Sequence, residues 1–345
     1  MKHFSSKKKI LFFLTIIFII IIYTVFSSFI YSANLGYFVD NALENVAVPT
    51  DEEYIAMYTR TEIDWEIAYW SAMICEYTYE KPSYPINNLA LSMLGFEAIR
   101  KYTFYELNDG LEDDLMVDVG VKEIRSTDGS DFKLVVISFR GSVPAALNDP
   151  TSKENMRRNM EYASKPWGTI EASVHEGFHD QYQDFLTDIL SEVNAEFDLN
   201  ILQPETIINE NIRFWITGHS MGGALAELFT LDLIENGVEP SGVMTYGFAT
   251  PLVGDNRLRE YSESIGTSDR IHKIVHRQDM VGYIGYGLFW GKSLASDSNT
   301  VKFGRKGVFD RSHHSLPRIY LPYIISQNDQ SKQKDMEESL VVVDM

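Results

Sequence analysis

The chain has 345 residues, of which 45% are hydrophobic and 13% aromatic, so it can bury a large core in one big domain or two ordinary ones. Its formal net charge of -19 excludes the class of nucleic-acid-binding proteins that rely on a basic surface. Cys75 is the only cysteine, so no internal disulfide can form. We therefore expect a globular protein that is stabilised by its core alone.

The first 31 residues predict a membrane anchor. Lysines at positions 2, 7, 8 and 9 precede an uncharged stretch, ILFFLTIIFIIIIYTVFSSFIY (10–31), which is long enough to cross a bilayer as a helix. A cleaved signal peptide would have a shorter apolar region, and SSFIYSA is a poor cleavage site. The lysines predict a cytoplasmic N-terminus. The rest of the chain is then expected outside the cell, as a single-pass membrane protein or, if the signal is cleaved, as a secreted one.

After a short spacer (32–50), the chain shows helical and strand-like patterns in turn. Residues 51–80 have helical apolar spacing without Gly or Pro, which predicts a helix that covers one face of a sheet. Residues 115–125 and 132–141 are rich in β-branched side chains and are separated by STDGSD, which predicts a hairpin. The polar stretch 143–168 then predicts an excursion from the sheet.

The second half alternates strands and helices. The patterns predict helices at 177–197 and from Met221 to about Asn236, and strands at 212–217, 242–248 and 270–275. Such alternation predicts an α/β fold with a mainly parallel central sheet and helices on both faces. We assign residues 51–325 to this domain and predict that the polar end, 326–345, is a mobile tail.

The stretch WITGHSMGGALAELF (215–229) predicts a catalytic serine. A strand ends at Thr217, the turn is rich in glycine, and a helix begins directly after Ser220, which is the context of a nucleophile elbow. The glycines leave space where side chains would clash across the tight turn. The start of the helix would place the free amide of Met221 beside Ser220, where it can stabilise an oxyanion.

A serine nucleophile needs a base and an acid that orients the base. The expected chain order for this architecture is Ser, acid, His. Asp279 follows the strand 270–275, and only His313 and His314 lie beyond it. Asp279 is therefore the predicted acid, with Asp255 in ATPLVGD as its competitor.

Six blocks of sequence carry a resemblance to a known family. They are VVISFRGS (135–142), VHEGF (174–178), ITGHSMGGALAEL (216–228), TYGFATPLVGD (245–255), HRQDMVGYI (276–284) and HSL (314–316). In this order they resemble the blocks of the fungal-type, class 3 lipases, over roughly residues 50–325.

The resemblance implies an α/β-hydrolase fold with Ser220 as nucleophile and Asp279 as acid. It also implies that Ser142 supplies a second oxyanion donor and that the segment after Ser142 is a mobile lid. HSL followed by Tyr320 fits the histidine block of the family, which favours His314 as base and leaves His313 as the alternative.

The sequence thus predicts a serine hydrolase that cleaves carboxylic esters of lipids through an acyl-enzyme, without a cofactor or metal. Two alternatives remain open. One is a catalytically inactive protein with a lipase fold that acts as a binding or scaffold protein at the membrane. The other is a zinc peptidase, because HEGFH (175–179) satisfies H-E-x-x-H. Gly177 interrupts the helix that this motif requires, so His175 and His179 are expected to be structural.

Overall fold

The computed structural model describes residues 47–60, 62–79, 88–107, 110–142, 157–159, 161, 163–201, 203, 211–285 and 291–343. The predicted anchor at 10–31, most of the spacer, and residues 143–156 of the predicted lid segment lie outside these ranges. Within the ranges, no helix combines the length and the apolar character needed to cross a membrane. The anchor and the lid therefore stay predictions.

The described ranges contain eight α-helices and nine strands. The helices are α1 (Asp51–Met57), α2 (Trp65–Thr78), α3 (Leu89–Met93), α4 (Glu176–Asp184), α5 (Leu190–Phe197), α6 (Met221–Glu235), α7 (Asn256–Ser264) and α8 (Leu321–Val343). The strands are β1 (Glu97–Leu107), β2 (Gly110–Ile124), β3 (Phe132–Phe139), β4 (Ser164–Pro166), β5 (Ser173–His175), β6 (Ile212–His219), β7 (Val243–Phe248), β8 (Ile271–His276) and β9 (Thr300–Phe303). π-Helical turns at Phe185–Ile189 and Leu316–Tyr320 connect α4 to α5 and lead into α8.

Seven strands form one sheet in the order β1-β2-β3-β6-β7-β8-β9. The first three strands pair antiparallel, and the pairs from β3 to β9 are all parallel. The predicted hairpin is β2–β3, in register from Ile124 opposite Phe132. This sheet agrees with the predicted α/β fold. The parallel strands all end at one edge, where the loops that follow them meet.

Helices cover both faces of the sheet, as predicted. Successive residues of a strand point to opposite faces, and the buried Phe214 and Trp215 of β6 accordingly belong to two separate hydrophobic clusters. One cluster is completed by α4 and α6, for example through Phe229, and the other by α2 and α8, for example through Trp70 and Ile324. The sheet is thus buried on both sides, which fixes the position of its loops.

The predicted helix 51–80 is two helices. Helix α1 ends at Met57, and Asp64 starts α2 by accepting hydrogen bonds from the amides of Glu66 and Ile67 at 3.0 and 3.2 Å. A side-chain carboxylate that satisfies the free amides of a first helical turn favours a new helix start over a continuous helix. The spacing of apolar residues alone did not reveal this break.

The structure contains two elements that the sequence did not predict. The segment 326–345, predicted as a mobile tail, continues helix α8 as far as Val343. It contains neither Gly nor Pro and is rich in good helix formers, and Lys332 forms an ion pair of 3.3 Å with Glu66 of α2. Strand β1 at the antiparallel edge of the sheet was not predicted at all.

His272 of β8 is fully buried, and neither ring nitrogen has a hydrogen-bond partner in the described residues. Burial, assisted by the nearby Arg270 cation, lowers the pKa of His272 to about 4, from an ordinary value of 6.5. The folded state therefore holds the neutral ring, while the unfolded chain takes up a proton below about pH 6.5. The stability that His272 contributes is complete above pH 6.5 and is lost as the pH falls towards 4.

We expect the His272→Leu variant to lose less stability than the parent between pH 6.5 and 4, by up to about 3 kcal/mol at the acid end. Denaturant unfolding of both proteins at a series of pH values measures this difference. His272→Gln removes the same titration but keeps a buried polar group, so it should share the flatter pH dependence while being less stable than His272→Leu. Parallel pH profiles for all three proteins would contradict the assignment.

Candidate active site

Ser220 lies at the junction of β6 and α6, with φ = +59° and ψ = -130°. A non-glycine residue with positive φ is costly, and such strain is characteristic of functional sites. The turn closes only because its neighbours lack side chains. A Cβ atom on Gly218 would overlap the carbonyl oxygen of Gly222, and one on Gly222 would overlap the carbonyl oxygen of Phe139. The sequence around Ser220 thus builds the strand-turn-helix geometry of a nucleophile elbow.

The His314 ring contacts Ser220 from the far end of the chain. His314 Nε2 lies 2.8 Å from Ser220 Oγ, and His314 sits in a short 3₁₀ turn, Arg311–His314, that precedes the π-helical turn leading to α8. The neighbouring His313 instead stacks on His276, with ring centroids 4.3 Å apart and planes 7° from parallel. The structure therefore brings the preferred histidine against the serine and directs the alternative one away.

Asp279 completes a hydrogen-bonded chain with His314. Asp279 Oδ2 lies 2.9 Å from His314 Nδ1, and the carboxylate also accepts hydrogen bonds from the Tyr320 hydroxyl at 2.6 Å and the Val281 amide at 2.9 Å. Burial alone would raise the pKa of Asp279, but the neighbouring His314 and these donors hold the pKa below its ordinary value. Because the carboxylate accepts a hydrogen bond from the Nδ1–H group of His314, the proton of the neutral ring stays on Nδ1. His314 Nε2 is then free to accept the proton of Ser220.

The His219 side chain holds the backbone of the turn that carries His314. His219 Nε2 donates a hydrogen bond of 3.0 Å to the carbonyl oxygen of His314, and His219 Nδ1 accepts one of 2.9 Å from the Tyr79 hydroxyl. Burial, with His314 nearby, lowers the pKa of His219 to about 3. The ring therefore stays neutral and keeps one donor and one acceptor, as this bridge requires.

The two predicted oxyanion donors lie next to each other beside Ser220. Ser142 Oγ is 3.5 Å from the Sδ atom of Met221, and it accepts a hydrogen bond of 2.5 Å from Asn159 Nδ2. Met221 is the first residue of α6, and the first amides of a helix have no partner within it. The end of β3 can approach the elbow this closely because Gly141, with no side chain, lies against the carbonyl of His219.

The other candidate residues have structural roles in the fold. Asp255, the competing acid, caps α7 by accepting a hydrogen bond of 2.8 Å from the Leu258 amide. His175 caps α4 in the same way through Phe178, and its ring stacks on that phenyl group at 4.0 Å. The described residues contain no group of three or more His, Cys, Asp or Glu side chains that could hold a metal ion. His175 and His179 therefore lack a third ligand there.

Sequence reasoning missed the residues that brace the site. Tyr320 was singled out only as part of a resemblance, although it follows His314 by six residues and donates to Asp279. His219 stands inside the elbow motif itself, and Tyr79 lies 140 residues before it. No local pattern links these three side chains, because their contacts exist only once the sheet has formed.

Part of the chain that carries this site is similar to known proteins. Residues 136–286 match the family described as Lipase (class 3). The chain is 29% identical over 164 residues to a lipase of Rhizomucor miehei, a match that covers 47% of this chain and 40% of that protein. It is 36% identical over 145 residues to phospholipase A1-Igamma1, chloroplastic, of Arabidopsis thaliana, covering 39% and 27%. The chain thus spans less than half the length of these relatives.

Among solved structures, the lipase from Rhizopus microsporus var. chinensis aligns with a TM-score of 0.42 and 20% identity, over 67% of this chain and 70% of that one. The family match runs from β3 through the elbow to the segment beyond Asp279. This part of the chain is therefore similar to the class 3 lipases.

Proposed function

We propose that this protein hydrolyses carboxylic esters of lipids with Ser220 as nucleophile, His314 as base and Asp279 as the acid that orients the base. The observation that supports this most directly is the continuous chain of hydrogen bonds, 2.8 Å from Ser220 Oγ to His314 Nε2 and 2.9 Å from His314 Nδ1 to Asp279 Oδ2. The similarity of residues 136–286 to the class 3 lipases supports the same reaction.

In the proposed reaction, Ser220 Oγ attacks the acyl carbon of the ester while its proton moves to His314 Nε2. The C–O bond to the alcohol then breaks, and His314 returns the proton to the leaving oxygen. Water then attacks the resulting acyl-enzyme while its proton moves to His314. The bond from the acyl carbon to Ser220 Oγ breaks, His314 returns the proton to Ser220 Oγ, and the carboxylic acid is released. Asp279 stays ionised throughout and stabilises the imidazolium that forms twice in the cycle.

The backbone amides of Met221 and Ser142 donate hydrogen bonds that stabilise the negative charge on the acyl oxygen. These groups are held in place before the substrate arrives, Met221 by the start of α6 and Ser142 by the end of β3 and its contact with Asn159. Donors that need no reorganisation are the most effective ones for a developing oxyanion. This arrangement favours acyl transfer over metal-assisted hydrolysis. A zinc site in HEGFH would need a third ligand besides His175 and His179, and no such group of side chains occurs among the described residues.

The names of the relatives support a substrate class. One is called a lipase and another a phospholipase A1, so we propose that this chain takes lipid esters, with triacylglycerols and phospholipids as the two classes to compare. We further propose that the hydrophobic segment 10–31 anchors the enzyme in the cell membrane and that the hydrolase domain lies outside the cell.

A serine-reactive fluorophosphonate probe, combined with a chain-length series of esters, tests this function. The full chain should be labelled, labelling should stop hydrolysis, and Ser220→Ala should not be labelled. Long-chain esters above their aggregation point should be hydrolysed in preference to short soluble esters. A chain that takes no label and cleaves no ester would instead be a binding protein with a lipase fold, and hydrolysis abolished by a chelator would favour the zinc alternative.

A further inference from the structure

The loop 304–310, which joins β9 to the turn with His314, exposes two adjacent apolar side chains. We call it the β9 loop. Val308 is 84% exposed and Phe309 is 47% exposed. Among the residues whose side-chain exposure the structure describes, which leaves out 102–114 and 335–343, three other large hydrophobic side chains are exposed, namely Val48, Leu89 and Met93. Exposed apolar residues that occur singly need no explanation, but neighbouring ones mark interaction surfaces.

Two cations precede these apolar residues. Arg305 and Lys306 are exposed, and within the described ranges neither forms an ion pair with a carboxylate. Unpaired basic residues are notable in a chain with a net charge of -19. Basic residues beside an exposed aromatic and an aliphatic side chain suit a lipid surface with anionic headgroups, because the apolar groups enter the acyl boundary while the cations stay near the phosphates.

The β9 loop is braced against the segment that carries Asp279. Gln278 Nε2 donates a hydrogen bond of 3.1 Å to the Val308 carbonyl, and the Asp310 amide donates one of 2.9 Å to the Gln278 carbonyl. The Phe309 ring packs on Tyr283 with centroids 5.6 Å apart. The apolar tip is therefore presented in a fixed geometry, so that docking would cost little conformational entropy.

We propose that the β9 loop docks on anionic lipid surfaces and turns the Ser220 rim of the domain towards the lipid. Gln278 adjoins Asp279, and Asp310 precedes His314 by four residues, so a membrane that contacts Val308 and Phe309 also lies beside the triad. This inference rests on the proposed lipid ester hydrolysis and names the surface on which it takes place. The surface is formed by residues outside the predicted lid.

A fluorophore on the loop tests this docking. Cys75 is buried, so Val308→Cys in the full-length Ser220→Ala chain offers a single accessible thiol for an environment-sensitive label. With vesicles that contain phosphatidylserine, we expect a blue shift and quenching by shallow, lipid-borne quenchers. Met93→Cys on α3 is the matched control, because it is also an exposed apolar residue but lies at the β1 edge of the sheet, opposite β9. It should be neither shifted nor quenched.

Reversing the loop charges tests the lipid preference. Arg305→Glu with Lys306→Glu should weaken the quenching at position 308 by about tenfold or more on anionic vesicles. In the active chain the same pair should slow hydrolysis of lipid in those vesicles by a similar factor and leave hydrolysis of a short soluble ester unchanged. Equal quenching at positions 308 and 93, or equal quenching in purely phosphatidylcholine vesicles, overturns the proposal. Because quenching is read in the Ser220→Ala chain, a failure of the proposed reaction would leave this result standing.

Discussion

The Ser220→Ala variant is expected to lose ester hydrolysis by about five to six orders of magnitude in kcat, to the level left by binding and the oxyanion donors. The physical reason is that the variant lacks the Ser220 oxygen that lies 2.8 Å from His314 Nε2, so the base loses the nucleophile that it deprotonates. Initial rates of hydrolysis of a soluble ester, compared with those of the parent at equal protein concentration, give the residual activity. KM should change much less than kcat.

A second substitution at the same position separates chemistry from folding. Ser220 adopts φ = +59°, where glycine has no steric penalty. We therefore expect Ser220→Gly to be as inactive as Ser220→Ala but more stable than the parent by about 1 kcal/mol or more in denaturant unfolding. Full activity in either variant would refute the assignment of the nucleophile, while a loss of stability in Ser220→Gly would show that the elbow is not strained.

The Asp279→Asn variant is expected to lower kcat by about 10⁴-fold with a smaller change in KM. Asn replaces one carboxylate oxygen by an NH2 donor. Because the Val281 amide donates to Oδ1, the Asn oxygen is favoured there, and the NH2 group takes the Oδ2 position and donates to His314 Nδ1. The imidazole would then be held in the tautomer that carries its proton on Nε2. That proton faces Ser220 Oγ, and the base can no longer take the serine proton. The loss should therefore appear in the acylation rate, measured with pre-steady-state release of the alcohol.

Asp255→Asn is the matched control, because Asp255 was the competing acid in the sequence. Its carboxylate caps α7, and Asn caps a helix about as well as Asp. This variant should keep nearly full activity and stability. The reverse pattern, with Asp255→Asn inactive and Asp279→Asn active, would overturn the choice of acid. Circular dichroism of both variants shows whether they are folded.

Local sequence patterns predicted those elements that are fixed by contacts between residues close together in the chain. Gly218 favours a tight strand-turn-helix at Ser220, because a side chain there would collide with the Gly222 carbonyl across the turn. Gly222 in turn leaves room for the carbonyl of Phe139 at the end of β3. Alternating strand and helix patterns from residue 177 onward predict the parallel half of the sheet. The same reasoning failed at Asp64, where a cap interrupts a long apolar pattern, and at 326–343, where polarity was interpreted as absence of structure rather than as an exposed helix.

The sequence by itself determined the kind of elbow at Ser220, the α/β class and the expectation that an acid and a histidine would follow. Only the tertiary structure decided that His314 faces Ser220 while His313 stacks on His276. It also decided that Tyr320 and His219 brace the acid and the base. The reason is that backbone sterics act between neighbours in the chain, whereas these contacts join positions 35 to 95 residues apart that meet only when the parallel strands bring their ends to one edge.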